Sequence, residues 1–285
     1  MTRDPLANCN FGTPYWWHTI DRAALPIAAE LPDRADVVIV GSGYTGVSAA
    51  LALARAGRSV VVIDSQRIGE GASTRNAGMA TVTLKTSPAQ LARKFGPDAA
   101  AAIFREALGT APALAALIER ERISCGYRTT GVYMAAARPS HYDALARSGE
   151  SLAAFGIATE MIPAARQQEE FGALGYFGGR VQPDVGTLDP AQYHFGLAQR
   201  CAEAGVTFVE RAEATLLDRN RSGWHVHTSA GVIDAGELII ATNGYTGDLV
   251  PWLRRRLVPV GSHMIVTEPL PPGRIGALIP RGRLV

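Results

Sequence analysis

Residues 35–57 read ADVVIVGSGYTGVSAALALARAG, and residues 59–64 read SVVVID. The run that ends at Val40 is apolar and mostly β-branched, the pattern of a strand covered on both faces, as in a parallel sheet. It passes straight into Gly41-Ser42-Gly43-Tyr44-Thr45-Gly46. An Ala- and Leu-rich stretch of helical periodicity follows, and Gly57 closes it as a left-handed cap. Residues 59–63 form a second buried strand that ends at Asp64. Strand, tight turn, helix, strand is a βαβ unit, and its two strands lie parallel.

Gly41, Gly43 and Gly46 make G-x-G-x-x-G at the strand-to-helix turn. The first glycine permits the sharp turn and the second lets a pyrophosphate approach the backbone. The third lets the helix pack closely on the sheet, and the N–H groups at the helix start attract phosphate. Ala50 and Ala54 continue Gly46 as a stripe of small residues at helical spacing. Asp64 follows 23 residues after Gly41, where an acid can accept hydrogen bonds from ribose hydroxyls. A lone G-x-G-x-x-G is weak evidence; two strands, a helix and an acid around it make the pattern that of an adenine dinucleotide site. An acid rather than an arginine at the ribose favours FAD or NAD over NADP.

The composition narrows the rest. A chain of 285 residues forms one large domain or two smaller ones. Its 28 Lys and Arg against 26 Asp and Glu leave a formal charge of +2, too little field to grip nucleic acid or anionic lipid. Cys9, Cys125 and Cys201 show no C-x-x-C spacing, so neither a disulfide framework nor a zinc ribbon is expected. The first residues lack the pattern of a signal peptide, and no unbroken apolar run reaches the roughly 18 residues of a membrane span. The expected setting is cytoplasmic.

Residues 89–123 read as helix, with Pro112 as the expected kink or break. Residues 128–137 read as a strand, 141–155 as a helix, and 157–162 and 176–182 as short strands. A helix starts at Pro190 and ends at Gly205, and short strands with tight turns fill 206–242. A last strand is expected over 257–267.

Gly69-Glu70-Gly71-Ala72-Ser73-Thr74-Arg75-Asn76-Ala77-Gly78 resembles the G-x-G-x-S-x-R-N-x-G loop of the D-amino acid oxidase-like FAD-dependent oxidoreductases. Residues 128–136 (RTTGVYMAA) and 182–190 (QPDVGTLDP) resemble two further segments of that family. So do 210–215, 238–246 (LIIATNGYT) and 257–270 (LVPVGSHMIVTEPL). Within the family the likeness is to bacterial amine-oxidising members of the gamma-glutamylputrescine oxidase type, whose aromatic lead-in Tyr15-Trp16-Trp17 matches. The fold so implied is α/β: a Rossmann-like FAD-binding domain interleaved with an α+β substrate domain whose sheet is mixed or antiparallel. FAD-binding parts would cover 1–86 and 190–250, and substrate-domain parts 87–189 and 251–285.

The resemblance also places roles. Gly41, Ser42, Gly43, Tyr44, Thr45 and Gly46 would hold the pyrophosphate, and Asp64 with Ser65 the ribose. Gly71, Ser73, Arg75, Asn76 and Gly78 would run along the pyrophosphate and flavin ring. Ala214 would meet the adenine edge, and Ala241, Thr242, Asn243 and Gly244 would close the cofactor from the side of the sheet. FAD would be bound non-covalently, because the loop after Gly69 has no His or Cys to attach it. The implied reaction is oxidation of a C–N bond in a small amine or amino acid by hydride transfer to flavin, the imine then being hydrolysed. No catalytic side chain is named.

Other candidates are weaker. Tyr133 and His263 are substrate-pocket candidates set against ordinary structural roles, and Lys85 is better read as a surface lysine. His225 and His227 share one strand face as metal ligands would, but an exposed hairpin face explains them more simply, and no metal is expected. Arg254-Arg255-Arg256 reads as a solvated turn. A flavin disulfide reductase would need a redox cysteine pair, and an NAD dehydrogenase would not need the R-N-x-G loop. A catalytically impaired FAD-binding fragment is the other alternative. The likeness stops within the substrate domain, so a C-terminal truncation with weak FAD binding and poor turnover is expected.

Overall fold

The computed structural model describes residues 13–81, 84 and 86–285; Cys9 and Lys85 lie outside them. In chain order the strands are β1 (Arg34–Val40), β2 (Val60–Ile63), β3 (Met79–Ala80), β4 (Arg128–Thr129), β5 (Val132–Ala135), β6 (Glu160–Ile162), β7 (Gly179–Gln182), β8 (Gly186–Thr187), β9 (Thr207–Val209), β10 (Ala214–Arg219), β11 (Trp224–Thr228) and β12 (Gly231–Ile240). The α-helices are α1 (Tyr44–Arg55), α2 (Pro88–Phe95), α3 (Pro97–Arg120), α4 (Pro139–Ala153), α5 (Pro190–Glu203), α6 (Pro251–Arg254) and α7 (Pro272–Leu278). The chain is α/β and divides into two compact units. The first runs through Ala77 and takes in Ile123–Cys125 and Asp189–Ile265; the second comprises Gly78–Arg122, Gly126–Leu188 and Val266–Val285. Residues 123–125, 189 and 251–265 thus fall in the first unit, and the chain passes to the second at Gly78.

The first unit is built on a six-stranded sheet of order β10-β11-β12-β1-β2-β9. β12, β1, β2 and β9 run parallel, with Val37 opposite Val60 and Ile39 opposite both Val62 and Ile239. β10, β11 and β12 pair antiparallel. Every residue of β2 is buried, as are Val37 to Val40, so the β-branched run is explained by coverage on both faces. Each such side chain contributes about 1.5–3 kcal/mol on burial. α1 packs against α5, and there the Cys201 thiol donates to the Val47 carbonyl at 3.1 Å. α5 begins where the sequence predicts it. Pro190 occupies its first turn, and the Asp189 carboxylate accepts from the Ala191 and Gln192 amides at 2.9 and 3.0 Å.

The second unit has two three-stranded antiparallel sheets, β3-β8-β4 and β5-β7-β6. The strand expected over 128–137 is two strands in different sheets, parted at Gly131, whose φ of +74° turns the chain between them. The expected break at Pro112 is also corrected. Pro112 lies inside α3, and the interruption is at Gly96 (φ +86°), followed by Pro97 at the first turn of α3. Ala100 and Phe104 of α3 pack with Leu91 of α2. α3 is long and apolar enough, by length and composition, to cross a membrane. Arg105 and Glu106 interrupt its apolar stretch, so it contains no unbroken apolar run of that length.

Residues 257–267 were expected to form a strand and do not. Val258 and Ile265 are 84% and 95% exposed, and no strand pairs with the segment among the described residues. Apolar and β-branched residues favour an extended chain, but a strand forms only where a neighbour takes its backbone hydrogen bonds.

Candidate functional site

The turn after β1 is fixed by backbone contacts that exclude side chains. Gly41 has φ +102°, and a Cβ there would come within 2.7 Å of the Ala241 carbonyl oxygen. A Cβ on Gly46 would lie 2.0 Å from the Gly41 carbonyl oxygen. The Gly41 amide donates to Ile63 at 2.9 Å, and the Ala241 amide donates to Val40 at 2.8 Å, which ties the turn to both neighbouring strands. α1 starts at Tyr44 with no cap from its N-cap residue, Gly43, and no acidic residue in its first turn; Ser73 Oγ takes the Tyr44 amide alone. Its positive end is left for an anion.

A cavity of about 740 Å³ opens at this end of the parallel strands, within the size range of a cofactor site. Gly41, Ser42, Gly43, Asp64 and Ser65 form one wall, and Gly71, Ser73 and Arg75 another. Ala214, Ala241, Thr242 and Asn243 close it. The Asp64 carboxylate is fixed in place: Oδ2 accepts from the Ser42 amide at 2.9 Å and the Ser42 hydroxyl at 2.6 Å, and Oδ1 accepts from the Gln66 amide at 3.0 Å. Those three bonds leave acceptor capacity for a hydroxyl from the cavity. An uncapped helix start beside an oriented carboxylate fits the pyrophosphate and ribose of an adenine dinucleotide.

The loop carrying Ser73, Arg75 and Asn76 is held by the aromatic lead-in. The Trp17 indole donates to Thr74 Oγ1 at 2.9 Å and that of Trp16 to the Asn76 carbonyl at 3.0 Å. Thr74 Oγ1 donates to the Gly69 carbonyl at 2.6 Å, and the Asn76 amide donates to Ser73 at 2.9 Å. The guanidinium groups of Arg75 and Arg22 lie 4.6 and 4.4 Å from the Trp17 ring centre, in cation–π range. Arg75 Nε donates to the Glu70 carbonyl at 2.7 Å, and Ser73 Oγ accepts from the Tyr44 amide at 3.0 Å.

Several predicted residues shape the site without lining it. Gly46 packs under the turn, and Asn76 braces the loop. The Tyr44 hydroxyl donates to Pro190 at 3.0 Å, and burial pushes its pKa up. Thr45 and Gly244 are absent from the cavity wall, and Gly78 (φ +69°) belongs to the second unit. Neither substrate candidate, Tyr133 or His263, lines this cavity. Tyr133 lies fully buried in the second unit with Ile162 and Val181, its phenol pushed up to about 12 by burial. His263 sits in the exposed stretch 257–267 and lines no part of the cavity.

His225 and His227 face Asp234 at 2.5 Å and Asp218 at 3.2 Å across the hairpin strands, and no metal-holding group occurs among the described residues. Arg254 pairs with the cavity residue Asp248, and Arg256 lies 4.0 Å over Trp252, so the basic turn is held by its neighbours. Sequence reasoning assigned no role to Glu70, Glu213 or Thr246, which lie within the family-like stretches 69–78, 210–215 and 238–246, or to Asp248 just beyond them; all four are on the cavity wall. It also missed His194, buried on α5 beneath the glycine turn.

The profile of a family described as "DAO: FAD dependent oxidoreductase" matches residues 36–283. Gamma-glutamylputrescine oxidoreductase of Escherichia coli (strain K12) is 31% identical over 252 residues, 88% of this chain and 59% of that protein. Probable oxidoreductase OrdL of Haemophilus influenzae is 29% identical over 259 residues, 89% of this chain and 60% of that protein. The crystal structure of glycine oxidase from Geobacillus kaustophilus superposes with a TM-score of 0.68 at 23% identity, covering 78% of this chain and 59% of that one. The chain thus spans about 60% of the length of these curated relatives.

Proposed function

This chain belongs to the DAO family of FAD dependent oxidoreductases, and on that premise we propose that its cavity binds FAD non-covalently and that the protein oxidises the C–N bond of a small amine or amino acid. The observation that carries the reading is one arrangement: an uncapped helix start, an oriented Asp64 and the Trp17-braced loop facing a single cavity. Bound FAD supplies a two-electron acceptor for the carbon that bears the nitrogen. Gly43 leaves room for the pyrophosphate at the helix start, and the remaining acceptor capacity of Asp64 takes a ribose hydroxyl. Arg75, on the cavity wall, would supply positive charge to an FAD held there.

The substrate class is drawn from the family and its named relatives, among them an oxidoreductase of gamma-glutamylputrescine and a glycine oxidase. The test is anaerobic addition of a panel of amines and amino acids to the FAD-loaded chain. Loss of visible flavin absorbance with at least one of them is expected; a spectrum unchanged by the whole panel contradicts the proposed reaction. Acid precipitation of the loaded chain should leave all yellow colour in the supernatant, and colour retained in the pellet would contradict non-covalent binding.

A further inference from the structure

We infer that His194 is a positioning residue of the dinucleotide site, acting through Ser42 on Asp64; the inference rests on the FAD reading above. His194 is fully buried on α5, and its Nε2 lies 2.5 Å from the Ser42 carbonyl oxygen. A carbonyl only accepts, so Nε2 carries the proton. Burial pushes the imidazole down to about 4, which leaves it neutral at ordinary pH with Nδ1 bare. Nδ1 has no hydrogen-bond partner.

Ser42 is the residue between Gly41 and Gly43, and it is held at four points. Its carbonyl accepts from His194, its amide and hydroxyl both donate to Asp64 Oδ2, and its hydroxyl accepts from the Gly69 amide at 3.1 Å. The same imidazole lies against Gly69, where a Cβ would approach its Cε1 and Nδ1 to 2.7 and 2.8 Å. One ring therefore braces the phosphate turn and the start of the Trp17-braced loop together. The other charged groups acting on it are Asp64 and Arg22. Removing the donor leaves the Ser42 carbonyl buried without its partner and frees the peptide that precedes Gly43. The orientation of Asp64 then depends on a residue that has lost one of its four ties.

The test is FAD binding followed by quenching of flavin fluorescence, with apoprotein melting temperatures measured in parallel. His194→Phe keeps a ring without the donor and should weaken FAD binding about tenfold. His194→Gln places a donor near the Nε2 position and should bind within about threefold of the parent. In an Asp64→Asn background the loss caused by His194→Phe should shrink to about twofold or less, because the two changes act on one network. If His194→Phe does not fold, His194→Asn, whose amide is too short to reach Ser42, replaces it in the comparison with His194→Gln.

Parent-like affinity in His194→Phe overturns the inference. So does a His194→Gln chain as weak as His194→Phe, or losses that simply add in the double variant. A parent that binds no FAD removes the cofactor reading and this inference with it. A parent that binds FAD while the variants match it removes the inference alone.

Discussion

Gly43→Val is expected to give a folded protein that binds no measurable FAD. Gly43 has φ −68°, which any residue adopts, and a Cβ there meets only Ser73 Oγ, at 3.1 Å. The only obstacle is a side-chain hydroxyl, which must give by a few tenths of an ångström, so the fold tolerates a small side chain there. The space such a side chain enters borders the start of α1, where the pyrophosphate of the proposed FAD would approach the backbone. Filling it with a branched group removes the phosphate contacts together, and the dissociation constant should rise by more than about a hundredfold, roughly 3 kcal/mol. Flavin-fluorescence titration, with far-ultraviolet circular dichroism as the control for folding, reads both halves. A Gly43→Val chain that binds FAD like the parent would show that the phosphates lie elsewhere.

Gly46→Ala should act differently, on the fold itself. The added methyl would sit 2.0 Å from the Gly41 carbonyl oxygen and 3.4 Å from Ile39 Cγ2. The nearest obstacle is backbone, already held by the tie of the Gly41 amide to Ile63. α1 must then lift from the sheet, at a cost of about 3 kcal/mol. Thermal unfolding should show a large drop in melting temperature, even though alanine is a better helix former than glycine. Cys201→Ser is the contrasting change: a hydroxyl can replace the thiol's bond to Val47, and FAD binding should persist. A Gly46→Ala chain as stable as the parent would contradict the close packing of α1 on β1.

These two glycines show why the first unit was legible in the sequence. Its strands are buried on both faces and so carry unbroken β-branched runs, and its turn needs glycines at fixed spacing. Local chemistry of that kind is written locally. The lead-in was recognisable by resemblance, but the bonds from Trp16 and Trp17 to the loop join residues far apart in sequence, and no spacing rule predicts them. His194 escaped for the same reason. An isolated histidine on a helix gives no sign that its ring will reach a carbonyl some 150 residues away.

Elsewhere the local signal was present and tertiary context overrode it. Residues 257–267 carry strand composition with no strand beside them. Pro112 would break an isolated helix, but it continues within α3, and the break falls at Gly96 instead.

The central claim is that the cavity over Gly41, Gly43 and Asp64 is an FAD site. Titration of the 285-residue chain with FAD, FMN and NADP, each followed to saturation, tests it most directly. The account predicts saturable binding of one FAD per chain, lost in Gly43→Val and weakened in Asp64→Asn, with FMN and NADP failing to compete. No saturable FAD binding, or displacement of FAD by NADP at comparable concentration, would contradict it.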